Sequence, residues 1–155
     1  MTQGGYHDDC SSISLNNIPS LQRTDVRELV INDNSIPSLQ NDNFILRVQT
    51  DLEELHVLRC EVETIQLGAF NGLIKLTHPS LSRIEIREII PRTSEKMSSL
   101  VYLVLGDNII EHLEVDVVYG LVNLKQIYLE ENILLGLHPD MFVGLPKLWS
   151  TSSLN

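Results

Sequence analysis

The sequence predicts an α/β solenoid: short parallel strands stacked into one curved sheet, with irregular or briefly helical segments returning the chain on the other side. Three observations carry this prediction. Leu52, Leu76, Leu100, Leu124 and Leu148 stand 24 residues apart, and each opens a similar string of apolar residues. The strings from Leu52, Leu76, Leu100 and Leu124 each contain an apolar-x-apolar step, the period of a strand with alternate side chains turned inward. The chain is 43% hydrophobic but only 5% aromatic, so its core is built from Leu, Ile and Val in many similar layers.

The unit 124–147 is the clearest, with Leu124, Ile127, Leu129, Asn132, Leu134, Leu137, Phe142 and Leu145 at fixed offsets. The unit 100–123 repeats it as Leu100, Leu103, Leu105, Asn108, Ile110, Leu113, Val118 and Leu121. The unit 52–75 reads Leu52, Leu55, Val57, Cys60, Val62, Ile65, Phe70 and Leu73. A first unit, 26–51, gives Val26, Leu29, Ile31, Asn34, Ile36, Leu39 and Phe44. Leucines at three- and four-residue steps also fit an amphipathic helix. Gly72, Gly120 and Gly144, at one matched place in three units, argue against long helices.

These units carry the pattern L-x-x-L-x-L-x-x-N-x-L and resemble the leucine-rich repeat family over about residues 13–149. The 24-residue length and the Phe eighteen places after the first Leu look like the subtype of extracellular proteins, including Toll-like receptor ectodomains. The resemblance implies a concave parallel sheet, on which partners commonly bind, and a ladder of inward amides at the ninth place. Here that ladder comprises Asn34, Cys60, Asn108 and Asn132. A thiol in such a place behaves as a small apolar group, which makes Cys60 structural.

The unit 76–99 departs furthest from the pattern. It keeps Leu81, Ile86 and Ile89 but has Pro79 inside its strand, Ile84 at the amide place and Ser94 at the Phe place. Proline lacks a ladder donor, so this strand should pair poorly on one side. At the start, residues 1–25 resemble part of the family's N-terminal cap. Ile13, Leu15 and Ile18 fit a shortened unit there, although such caps usually carry several cysteines and only Cys10 is present. Residues 148–155 open another unit that Asn155 leaves incomplete. The expectation is a fragment whose C-terminal edge, at Leu148 and Trp149, could pair with a second copy as a homodimer.

The formal net charge of −10 argues against nucleic acid, because phosphate binding needs a basic stripe. Residues 100–155 hold 7 acidic side chains against Lys125 and Lys147 alone. No apolar run is long enough to span a bilayer, and residues 1–10 are polar, without the apolar core of a secretory signal. The two cysteines meet no zinc spacing. No phosphate-binding Gly loop, zinc-protease motif or nucleophile with a base in context is present, and the paired Glu53-Glu54 and Glu130-Glu131 point apart. The reading is therefore not an enzyme, with no cofactor and no metal.

Functional candidates come from the columns that face outward between the strand leucines. His56, Val104 and Tyr128 share one column, His78 and Tyr102 another, and Glu130 lies just beyond the strand. Tyr102, Val104 and Tyr128 should cluster on adjacent strands with His78 beside them, as a contact patch for a protein. His56 and His78 fall in different columns; solvated surface histidines are the simpler reading than a pH sensor. His112 and His138 lie on turns and form no ligand set with them. The function expected is a protein-binding module, by resemblance a piece of an extracellular or cell-surface receptor that meets a protein ligand or co-receptor. An intracellular adaptor and a structural assembly protein are the alternatives.

Overall fold

The computed structural model describes residues 6–19, 25–40, 43–44, 51–90 and 97–152. Ser94, Asn155 and the outermost residues of the cap-like segment lie outside them. The apolar-x-apolar steps form strands β2 (Val26–Val30), β4 (Glu54–His56), β6 (His78–Ser80), β8 (Tyr102–Val104) and β9 (Gln126–Tyr128), and the polar segments β1 (Tyr6–Asp9) and β10 (Ser150–Ser152) add a strand at each end. They pair in parallel in the order β1-β2-β4-β6-β8-β9-β10 as one seven-stranded sheet. On the return side, β3 (Ser38–Leu39), β5 (Thr64–Gln66) and β7 (Glu88–Ile90) make a second parallel sheet of three strands. The sequence pattern gives no sign of this smaller sheet, because each of its strands turns one apolar residue inward: Leu39, Ile65 or Ile89. Short 3-10 turns at Leu67–Phe70, Val115–Val117 and Pro139–Phe142 complete the return side. Gly72, Gly120 and Gly144 follow these turns with φ of 87°, 81° and 88°, a conformation that a side chain strains.

The segment before β2 is a coil of the same stack. Asp8 pairs with Leu29 and Asp9 with Val30, both in parallel, and a register shift separates Tyr6 from His7. Ile18 is buried while Ile13 is exposed.

One continuous core runs through the stack, from Ile18 to Leu145. Phe44 and Phe70 stack within it, ring centroids 6.1 Å apart. No coil could bury this surface alone, so each depends on its neighbours.

The ladder amides tie each coil to the one before it. Asn108, 6% exposed, accepts from the N–H groups of Ile84 and Ile86, both at 3.2 Å. Its amide group donates to the carbonyls of Leu81 at 2.8 Å and Leu105 at 2.9 Å. Asn34 and Asn132 repeat the scheme: Asn34 reaches back to the N–H of Leu15 and the carbonyl of Cys10, and Asn132 to the N–H of Ile110 and the carbonyl of Leu105. The residue before each ladder place is left-handed, with φ near 55° at Asp33, Arg59, Arg83, Asp107 and Glu131. None of the five is glycine, and a side chain in this conformation costs about 1 kcal/mol. A backbone hydrogen bond to the following coil offsets that cost at four of them, from the N–H of Asp33 to Leu58, Arg59 to Arg83, Arg83 to Asp107 and Asp107 to Glu130.

The degenerate coil 76–99 carries two defects on opposite sides. Toward β4, β6 keeps three aligned positions. Toward β8 the ladder contracts to Ser80 opposite Val104. Leu81 donates to the Val104 carbonyl on that side, and two residues earlier Pro79 has no N–H to give. An apolar void of about 10 Å3 lies against Pro79, lined by Leu81, Met97, Leu100, Leu103 and Leu105. On the other side, Ile84 provides no polar reach toward coil 52–75. Its side chain is fully buried, as are Val62 and Ile86, so apolar contact takes the place of the amide bridge at that seam.

Two stability changes follow. Asn108→Ala strands buried N–H and carbonyl groups and should lower stability by about 2–4 kcal/mol, measured from the urea midpoint; a loss below about 0.5 kcal/mol would refute the ladder as a structural tie. Pro79→Leu restores the strand donor and adds apolar volume beside the void, and should raise stability by about 1 kcal/mol, read as a higher urea midpoint. A lower midpoint would show that the strand depends on the proline ring instead.

Candidate functional site

The register of the long sheet decides which side chains meet on its outward face. Glu28 is aligned with Glu54 and Glu54 with His78, while Tyr102 is aligned with Gln126. In the next column Val30, His56, Ser80, Val104 and Tyr128 follow one another. Leu29, Leu55, Leu103 and Ile127 point the other way into the core. Among the described residues, Arg27 on β2 is the one basic side chain of these strands, and it is paired with Glu53 at 3.7 Å.

The face divides into two parts of different chemistry. Over β6, β8 and β9 it is aromatic and apolar. The His78 and Tyr102 rings stack with centroids 4.6 Å apart and planes 23° from parallel. Thr77 Oγ1 lies 2.6 Å from His78 Nδ1 and fixes the imidazole's other edge. Val104 and Tyr128, aligned across β8 and β9, are half-buried, as is Tyr102. The Tyr128 hydroxyl donates to Gln126 Oε1 at 3.0 Å. Glu130 accepts from the Ser152 hydroxyl and lies over Gly106, where a Cβ would come within 3.1 Å of its carboxyl carbon. Of the six candidates, the structure thus gathers His78, Tyr102, Val104 and Tyr128 on adjacent strands, with Glu130 at their margin. His56 stands apart.

Over β1, β2 and β4 the face is built from carboxylates and imidazoles. His7 Nδ1 lies 3.0 Å from Glu28 Oε2. His56 Nε2 lies 3.6 Å from both Glu28 Oε1 and Glu54 Oε2. Sequence reasoning passed over this group for two reasons. Glu28 and Glu54 share an outward column in the sequence, but the column alone does not show that His56, from the neighbouring column, reaches both carboxylates. His7 lies in a segment without the repeat, where no register can be read. The shared offset of Glu28 and Glu54 in their units was the available signal.

Fixed ion pairs line the flank of the sheet instead. Arg59 makes a two-pronged contact with Asp33, Nε–Oδ1 at 2.6 Å and Nη2–Oδ2 at 2.7 Å, which holds the Asp33 carboxyl below its ordinary range. Arg83 pairs with Asp107 at 3.4 Å and Arg27 with Glu53 at 3.7 Å. Neither cysteine is in a disulfide. Cys60 Sγ sits 2.8 Å from the Ile31 carbonyl, occupying the ladder place with a thiol donor. Burial pushes its pKa up, against a smaller opposing pull from the Asn34 N–H. Cys10 is also raised, by burial first and then by Asp8 and Asp9.

A family model described as leucine rich repeat matches residues 98–150. Comparison with the curated proteins gives no match. Among solved structures, the chain is similar to one described as the crystal structure of a TLR13–ssRNA13 complex, with a TM-score of 0.77 and 26% identity. The match covers 89% of this chain and 20% of that one, so the chain spans about a fifth of its length. No described helix is long and apolar enough to cross a membrane.

The raised thiols lead to a pH prediction. The thiolate is the nucleophile, and the fold disfavours it at both cysteines. Iodoacetamide should leave Cys60 unmodified at neutral pH in the folded protein and label it readily in urea. Because these pKa values are raised, the thiols do not affect stability below the ordinary thiol range and cost stability as pH climbs through it. Rapid neutral-pH labelling of Cys60, read by mass spectrometry, would contradict the burial argument.

Proposed function

We propose that this chain, a leucine-rich repeat solenoid that resembles Toll-like receptor ectodomains, is a ligand-binding module whose long sheet docks a protein. The observation that carries this reading is the patch His78, Tyr102, Val104 and Tyr128. Four large side chains from three adjacent strands lie side by side, with the His78–Tyr102 stack and the Tyr128–Gln126 bond holding three of them in place. Rings already fixed in one conformation lose little entropy on binding, and tyrosine offers apolar area with a polar tip. Glu130, Ser152 and Gln126 supply a polar margin.

The likeness to a receptor complexed with single-stranded RNA makes nucleic acid the second reading. Charge speaks against it. The net charge is −10, and among the described residues the strands of the long sheet carry one basic side chain, Arg27, already paired with Glu53, so few counterions would be released from phosphates. A protein ligand with a basic or aromatic surface suits the face better. The same resemblance supports a position outside the cytosol, at the cell surface or within an endosome, as part of a receptor.

A proximity-labelling screen on cells displaying the chain would identify partners, and purified partner would then be titrated by surface plasmon resonance. Tyr102→Ala with Tyr128→Ala should weaken binding at least tenfold through a faster off-rate, with the urea midpoint changed little. Unchanged affinity would remove this patch from the interface. Short single-stranded RNA, titrated in parallel at moderate salt, should not bind; saturable binding would favour the second reading.

A further inference from the structure

The geometry points to a zinc-class divalent cation site on the outward face of β2 and β4, held by Glu28, Glu54 and His56 and supported by His7. Three observations carry it. The ligand atoms Glu28 Oε1, Glu54 Oε2 and His56 Nε2 all lie within 4.8 Å of one another, with the imidazole nitrogen 3.6 Å from each oxygen. Zinc bound tetrahedrally with bonds of about 2.0–2.2 Å spaces its ligand atoms about 3.3–3.5 Å apart, so the two imidazole–carboxylate distances already fit to a few tenths of an ångström and the two exposed carboxylates need close by no more than about 1.3 Å. The ligands stand on adjacent paired strands, which fixes their Cα positions in advance.

The second observation is the charge. Glu28 and Glu54 are directly aligned across neighbouring strands, an arrangement in which like charges repel. Arg27, next to Glu28 in sequence, pairs with Glu53 on the flank rather than with either carboxylate. The two carboxylates match the charge of one divalent ion, and an imidazole ligand selects zinc-class ions over calcium or magnesium.

The third is His7. It lies 3.0 Å from Glu28 Oε2, the oxygen that the ion would not use, where its Nδ1–H can orient the carboxylate. Three protein ligands leave one coordination position open to solvent, as in zinc sites that bind an exchangeable fourth ligand. A carboxylate or imidazole of a docked molecule can enter there. The side chains of His56, Glu28 and Glu54 are 30%, 40% and 50% exposed, so an ion reaches them without opening the core.

The test is titration of the metal-free chain with zinc by calorimetry, and with cobalt as a visible-absorbance probe of tetrahedral geometry. It needs no protein partner, so its result is separate from that of the aromatic patch. One zinc per chain is expected. His56→Ala and Glu54→Gln should each weaken it at least tenfold, and His7→Ala several-fold, with folding checked by circular dichroism. His138→Ala, at an exposed imidazole 3.8 Å from Asp140, should leave binding unchanged. Should His56→Ala fail to fold, His56→Gln keeps the size and removes the nitrogen ligand. Absent zinc uptake, uptake unaltered by the His56 and Glu54 substitutions, or calcium bound as tightly as zinc would each overturn the assignment.

Discussion

Everything in this molecule depends on each coil completing the polar groups of its neighbour. An isolated coil leaves its strand's N–H and C=O groups unpaired on both sides, and its apolar residues half covered. Stacking at a spacing of 24 or 26 residues resolves both at once. It aligns strand with strand, and it places a ladder amide where its oxygen reaches the N–H groups of the preceding turn and its nitrogen the carbonyls. Asn108 makes both kinds of contact. The left-handed residues just before the ladder places belong to the same scheme, since Asp33, Arg59, Arg83 and Asp107 turn the chain while their own N–H groups donate forward.

The same constraint separates what the sequence makes legible from what it hides. Strand positions are readable because inward residues must alternate and recur, so Leu29, Leu55, Leu103 and Ile127 mark β2, β4, β8 and β9 directly. The return side is far less readable. The three-stranded sheet of β3, β5 and β7 rests on backbone pairing, with single inward residues that also suit an irregular loop. The left-handed turns are unreadable for a related reason: Arg59 and Arg83 occupy positions that propensity would give to Gly or Asn, because tertiary hydrogen bonds outweigh local preference. The outward face is readable column by column once the register is known. That register made the aromatic grouping visible. It also puts Glu28 beside Glu54, but it does not extend to His7, where the first coil shifts against β2.

The face that results is not uniform. Carboxylates and imidazoles occupy β1, β2 and β4; aromatic and aliphatic side chains occupy β6, β8 and β9. A parallel sheet with aligned strands keeps such columns distinct, because neighbours in a column are equivalent places in successive units. One substitution per coil is enough to set the local chemistry, while the inward leucines go on holding the backbone. Stability and recognition thus draw on alternate residues of the same short strands.

The degenerate coil lies where these two chemistries meet, and its tolerance has a physical explanation. Ile84 gives up a polar tie toward coil 52–75, yet Ile84, Val62 and Ile86 are fully buried, so apolar area replaces the amide bridge at that seam. Pro79 gives up a donor toward β8, but Leu81 resumes the ladder two residues later. The losses fall on opposite sides of the coil, so neither junction lacks both kinds of tie: the 60/84 seam keeps its full strand ladder, and the 84/108 seam keeps the Asn108 bridge. Had both losses fallen on one junction, that seam would have neither a full strand ladder nor an amide bridge. Their separation is what lets a chain with a broken repeat remain a single stack, and so keeps the two halves of its outward face in one register.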